Sequence, residues 1–108
     1  MTTCIFPTER ISNTSLHGYI HANFDELVNL FGWPHYFEPR NGDKVQCEWG
    51  FEAEDGTVFT IYDWKEYGTH PSDISKWHIG GHSVSALLLI KDLIPEGSPM
   101  SVSYYVGY

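Results

Sequence analysis

The stretch Trp77-His78-Ile79-Gly80-Gly81-His82-Ser83 sets two glycines, two histidines and a hydroxyl between an alternating segment and a strongly apolar one. Glycines let backbone approach a ligand closely, and a helix N-terminus offers unsatisfied N–H groups with a partial positive charge. Gly80, Gly81, His82 and Ser83 are therefore a candidate cradle for a phosphate, with His78 or His82 as a further donor. The plainer alternative is a tight turn that the glycines make and Ser83 caps. Tyr62, Trp64 and Tyr67 run off one strand pattern into a long connection, and Trp77 opens the next strand. Such rings suit stacking on a nucleobase or another flat ligand. The competing reading packs Trp64 and Trp77 against each other at a sheet edge.

Other residue types offer less. His17 and His21 lie about 13 Å apart along a strand, too far to share an ion, while His78 and His82 straddle the presumed turn and could converge with His70. No HxxxH on a helix, no CxxC and no HExxH occurs, so no metal and no cofactor is assigned. Cys47 falls on an inward-facing strand position and reads as an inert core thiol. Asp63 with Glu48 or Glu66 is a conceivable acid–base pair, but no catalytic residue is assigned, and a small hydrolase is only a second alternative.

The elements that must position these residues follow from periodicity. Thr14 to Ala22 alternates as a strand, with Leu16, Gly18, Ile20 and Ala22 on one side. Asn23 and Glu26 form a capping box for a helix whose stripe is Phe24, Leu27, Val28 and Phe31; Gly32 ends it and Pro34 blocks its return. Residues 35–43 read as a polar loop. Val45 to Ala53 and Thr57 to Lys65 form a hairpin through Glu54-Asp55-Gly56, in a register pairing Phe51 with Phe59 and Trp49 with Ile61. That register sets Asp63 on the core face opposite Cys47, where a carboxylate needs a partner or a strand end open to water. A twelve-residue connection leads to a strand at Trp77 to Ile79. A helix capped by Ser83 then runs to about Ile94, apolar almost all round, so it is well buried or part of a subunit interface. A last strand carries Val102, Tyr104, Val106 and Tyr108 on one face. The expected fold is a single α+β domain over 1–108, a mostly antiparallel sheet of four to five strands with two helices on one face.

Composition narrows the partners. Fourteen acidic and six basic residues give a net charge of −8, and the basic ones are scattered singly. That argues against a direct nucleic-acid or membrane partner, both of which call for clustered Lys and Arg. The acidity instead keeps the chain soluble, faces a basic protein, or surrounds a pocket whose local potential differs from the global one. At 16% aromatic, the chain has more rings than a core this size requires, so some belong at a binding surface. MTTCIFPTER lacks the basic and apolar regions of a signal peptide, and a cytoplasmic, homo-oligomeric protein with free thiols is expected.

The block TVFTIYDWKEYG followed by KWHIGGHS resembles small proteins encoded by bacteriophages and prophages, in which a strand ending in a similar IYDWK precedes W-x-IGG and a helix. TSLHGYIHANFDELVNLFGWP fits the same pattern, so the likeness spans roughly residues 14–90. Phage proteins of this size include counter-defence factors, both sponges that sequester cyclic nucleotide signals and acidic inhibitors of CRISPR effectors. The resemblance implies a non-catalytic binding protein that captures a small nucleotide-like ligand, in the host cytoplasm if phage-encoded, with Trp64, Trp77 and the turn Gly80-Gly81-His82-Ser83 as pocket residues. The alternative it implies is an acidic inhibitor of a basic host protein, such as a nucleic-acid-binding effector.

Overall fold

The computed structural model describes residues 4–39 and 41–106; Tyr108, expected on the last strand, lies outside them. In chain order the elements are β1 (Ile5–Pro7), β2 (Ser15–His21), α1 (Phe24–Phe31), β3 (Tyr36–Phe37), β4 (Cys47–Ala53), β5 (Val58–Tyr62), β6 (Lys76–Gly81), α2 (Ser85–Leu93) and β7 (Ser101–Tyr104). The seven strands form one antiparallel sheet in the order β1-β4-β5-β6-β2-β7, with β3 beside β1 along the outer edge of β4. The class is α+β as expected, but the strands number seven rather than four to five. β3 falls in the segment read as a loop, and β1 carries no period long enough to see: each pairs only two or three residues, and β4 supplies the partner.

Helix α1 forms as its sequence dictates. Asn23 Oδ1 accepts from Glu26 N–H and Glu26 Oε1 accepts from Asn23 N–H, each at 2.8 Å. Phe24, Leu27 and Phe31 are buried. Gly32 closes the helix by donating to Val28 O at 2.8 Å. Two buried tryptophans pin its ends: Trp77 Nε1 donates to Ala22 O at 3.1 Å and Trp49 Nε1 to Gly32 O at 2.9 Å. Both indoles thus fill the core and satisfy carbonyls flanking the helix, so burial leaves neither N–H unpaired.

The β4–β5 hairpin has the expected register, Phe51 opposite Phe59 and Trp49 opposite Ile61. Its three-residue loop ends at Gly56, whose φ of +90° is the left-handed conformation that glycine adopts without strain. Asp63 is fully buried opposite Cys47, at neither a frayed end nor a water-filled one. Its Oδ1 accepts from the N–H groups of Gln46 (2.8 Å) and Cys47 (3.0 Å), and its Oδ2 from Gln46 Nε2 (3.1 Å). Gln46 Nε2 also lies 3.1 Å from Glu66 O and 3.0 Å from Thr69 O. Asp63 and Gln46 together clasp the long connection to the start of β4.

The glycine pair is not a turn. β6 continues through Gly81, with Gly80 between Thr60 and Leu16 and Gly81 between Phe59 and Ser15. A Cβ on Gly81 would lie 2.3 Å from Ala86 Cβ, so glycine there lets α2 lie against the sheet. A Cβ on Gly18 would meet Leu87 Cδ1 and the Ser103 carbonyl just as closely. A glycine inside a strand often marks such a close approach. α2 buries Ala86, Leu87 and Ile90 and leaves Val84 and Leu88 exposed. Both helices cover the same face, which carries Trp49, Phe51, Phe59, Ile61, Trp77, Ile79 and Ile20. β2 alternates cleanly only from Gly18 onward, because a bulge between Leu16 and Gly18 shifts its register on β6.

Candidate functional site

Among the described residues no helix covers the opposite face of the sheet. Alternation that sends Trp49, Ile61 and Trp77 into the core sends their neighbours outward. Across the strands these form a single row: Tyr36, Glu48, Tyr62, His78, Tyr19 and Ser103, each opposite the next. The aromatic members touch. His78 lies 5.1 Å from Tyr19 edge-on and 5.4 Å from Tyr62 in a tilted arrangement, and Trp64 stands 6.3 Å from Tyr62. Four rings therefore make one strip, Tyr19–His78–Tyr62–Trp64, open to solvent at Trp64, which is 39% exposed.

Cations gather at both ends of the strip. Lys76 Nζ sits 4.7 Å above the Tyr19 ring, and Lys44 and Lys65 stand 5.6 and 5.8 Å from the Trp64 ring. These are three of the chain's four lysines, so a chain of net charge −8 keeps most of its ammonium groups along this one strip. Lys65 holds a φ of +56°, uncommon for a residue with a side chain, and its N–H donates to Lys44 O at 2.8 Å, which fixes the two lysine backbones side by side.

Three titratable groups of the row, His78, Tyr62 and Glu48, are half-buried and lean toward neutrality. Burial, and then the Lys76 charge, lower the His78 pKa below its ordinary value. Its Nδ1 is buried with no partner among the described residues. A bare acceptor costs less there than a stranded N–H, which assigns the ring proton to Nε2. Burial raises the Tyr62 phenol, helped by the charge of Glu48. Burial raises Glu48 as well, with the charge of Asp63 adding to it. No donor among the described residues reaches the Glu48 carboxylate. It lines a cavity of about 210 Å³ with Tyr36, His35, Gly50, Thr8, Glu9 and Ile11. The wall of this cavity is the segment after β1: Thr8 N–H donates to Gly50 O at 3.1 Å, and a Cβ on Gly50 would meet Thr8 O and Ile11 Cγ2. His35 Nδ1 accepts from Gly50 N–H at 3.0 Å, filling the gap on the β4 edge between β1 and β3.

The residues singled out in the sequence divide among three places. Tyr62, Trp64, His78 and Gly80 share the open face. There the Thr60 hydroxyl occupies the space a Cβ on Gly80 would need, at 2.5 Å. Trp77 and Gly81 belong to the packed face: Trp77 is 0% exposed and lies edge-on to Trp49 at 5.5 Å, so it offers no ring to a ligand and does not pair with Trp64. His82 and Ser83 line a different cavity, of about 240 Å³, with Asp55, Gly56, Thr57 and Ser85. The N-cap of α2 is Val84, with no side-chain capping bond, so Ser83 stands one residue before the cap expected of it; its Oγ accepts from Ser85 N–H at 3.2 Å and its carbonyl from Ala86 N–H at 3.1 Å. The expected cradle is thus not assembled: the glycines are in the ladder, Ser83 engages the first free N–H groups, and the Asp55 carboxylate lines the same cavity. Hydrogen bonds from Thr57 lower the Asp55 pKa, which keeps a negative charge where an anion would sit.

Other expected combinations also separate. Glu48 and Asp63 lie on opposite faces of the sheet and form no catalytic pair. His70 accepts from Ser72 N–H at the short helical turn Pro71–Asp73. Among the described residues no group of three His, Cys, Asp or Glu is placed to hold a metal ion. Cys47 is buried, and burial pushes its thiol far above the ordinary range, as an inert core position requires. Tyr19 and Glu48 complete the row although neither was named as a ligand residue. Alternation placed each on the outer side of its strand, but only the pairing of β2 with β6 brings Tyr19 to His78. No family model, no curated protein and no solved structure matches the chain, and no helix is long and apolar enough to cross a membrane.

Proposed function

We propose that the protein is a non-catalytic binding protein that captures a small nucleotide-like ligand on the open face of its sheet. The observation that carries this is the contiguous strip Tyr19–His78–Tyr62–Trp64 with lysines at both ends. A base stacks on such rings with about 1–3 kcal/mol per base, and the ammonium groups of Lys44 and Lys65 supply the charge a phosphate needs. The strip lies apart from the second helix, so the anion contact moves from backbone N–H groups to lysines. Nothing in the row is set up for turnover: its histidine and carboxylate face no activated hydroxyl or thiol. The resemblance to small phage and prophage proteins gives the capture a setting, sequestration of a nucleotide signal in counter-defence.

A thermal-shift screen against nucleoside monophosphates, cyclic dinucleotides and cyclic ADP-ribose derivatives tests the reading. A ligand at ~100 times its Kd adds about 2.7 kcal/mol, and each kcal/mol moves Tm by roughly 4–8 °C in a domain near this size. The reading expects a shift that Trp64→Ala abolishes, with the ligand recovered intact after denaturation. No shift with any of them, or recovery of a cleaved product, contradicts it.

A further inference from the structure

Resting on that reading, we propose that Glu48 makes the site selective for a base presenting two adjacent hydrogen-bond donors, the guanine edge of N1–H and exocyclic N2–H. A carboxylate is an acceptor-only group with two parallel oxygens, and charge-assisted bidentate pairs are the strong and directional ones. Glu48 meets the requirements for such a reader. Its carboxylate is half-buried, reached by no donor among the described residues, and lines the cavity of about 210 Å³ walled by Thr8, Ile11 and Tyr36. It sits directly across β4–β5 from Tyr62, the middle of the aromatic strip. A base lying along Tyr62 therefore turns one edge to Glu48. The other end of the ligand points past Trp64, 6.3 Å from Tyr62, toward Lys44 and Lys65.

The half-buried setting makes the choice of edge matter. A half-buried carboxylate left facing an acceptor loses part of its own hydration without replacement. Adenine presents one donor beside the acceptor N1, so its edge offers Glu48 one bond and one repulsion. Hypoxanthine offers N1–H alone and falls between. Discrimination by a bidentate contact of this kind amounts to roughly tenfold or more.

Titration calorimetry of the full chain with GMP, IMP and AMP, for the wild type and Glu48→Gln, tests the assignment. The wild type is expected to bind GMP at least tenfold tighter than AMP, with IMP between. Glu48→Gln brings an amide whose oxygen and N–H match the adenine edge, and the preference is expected to vanish or invert while AMP affinity is kept or improved. Because the Glu48 carboxylate holds no hydrogen-bond partner among the described residues, Glu48→Gln is expected to melt close to the wild type. Equal binding of GMP and AMP by the wild type, or a GMP preference that survives Glu48→Gln, overturns the role of Glu48 and leaves nucleotide capture standing. Failure of all three to bind the wild type overturns this proposal, and failure of the cyclic dinucleotides and cyclic ADP-ribose derivatives as well overturns the nucleotide reading beneath it.

Discussion

The two faces of this sheet are built from alternate residues of the same strands, and they solve opposite problems. On the packed face Trp49, Trp77, Phe51 and Phe59 are buried under α1 and α2, both indole N–H groups have carbonyl partners, and the one carboxylate, Asp63, accepts three hydrogen bonds. On the open face the groups are of the same kinds, with rings, a carboxylate and a buried nitrogen, but among the described residues the Glu48 carboxylate finds no donor and His78 Nδ1 no partner. A polar group that folding half-buries and does not satisfy costs stability. Its presence on the face without a helix fits the proposed ligand surface, whereas complete satisfaction on the other face is what a core looks like.

The contrast is sharpest where one residue type recurs on both faces. Trp77→Ala removes a fully buried ring and strands the Ala22 carbonyl; a loss of roughly 3–5 kcal/mol in chemical denaturation is expected. Trp64→Ala is expected to leave stability within about 0.5 kcal/mol, since its ring is partly exposed, while weakening ligand binding. Equal costs for the two would erase the distinction between the faces. For the carboxylates, Asp63→Asn puts an amide against the N–H groups of Gln46 and Cys47 and is expected to cost about 2–3 kcal/mol, where Glu48→Gln costs little. Gly81→Ala, which drives a methyl into Ala86, is expected to cost roughly 1–3 kcal/mol and to leave the aromatic strip able to bind. A variant that kept its stability but lost binding would return the glycine pair to the site.

The smallest effect expected is a pH dependence. His35 and His78 both have pKa values lowered by burial from the ordinary 6.5. The unfolded chain then takes up protons more readily than the folded one, so their contribution to stability is full above that value and is lost as pH falls through the depressed folded values. Glu48, raised from 4.5, has the opposite sign: its contribution is present below that value and is lost as pH rises. Denaturation midpoints are expected to fall between about pH 7 and pH 5, and the double variant His35→Asn/His78→Asn should flatten that slope. An unchanged slope would place the titrating groups elsewhere.

How much of this was legible in the sequence depended on whether the deciding interactions were local. The capping box of Asn23 and Glu26 and the stripe of α1 are set within eight residues, and they appear as read. The hairpin register follows from strict alternation and a glycine-ended loop, and it carried Asp63 to the core face correctly. The glycine pair misled because a local turn signal and a remote packing demand look alike. Only the approach of Ala86 shows that Gly81 belongs to a strand. β1 and β3 were illegible because they are too short to have a period. The site was half legible: Tyr62, Trp64 and His78 were named from ring type and position, but their neighbours Tyr19 and Glu48 join them through pairings of strands distant in sequence. Trp77 was misassigned for the same reason, since which of two tryptophans faces inward depends on where the helices lie.

The indole N–H signals of the tryptophans in a ¹⁵N-correlated NMR spectrum offer the most direct test of the open face as the binding surface. Trp49 and Trp77 report from the core, exposed Trp33 from beyond the first helix, and Trp64 from the strip. On titration with GMP, AMP and cyclic dinucleotides, the account predicts that at least one of them moves the Trp64 signal together with the amides of Glu48, Tyr62 and His78, while Trp49 and Trp77 stay in place. A spectrum unmoved by every nucleotide, or one in which shifts gather at His82 and Ser83 and leave Trp64 untouched, would contradict it.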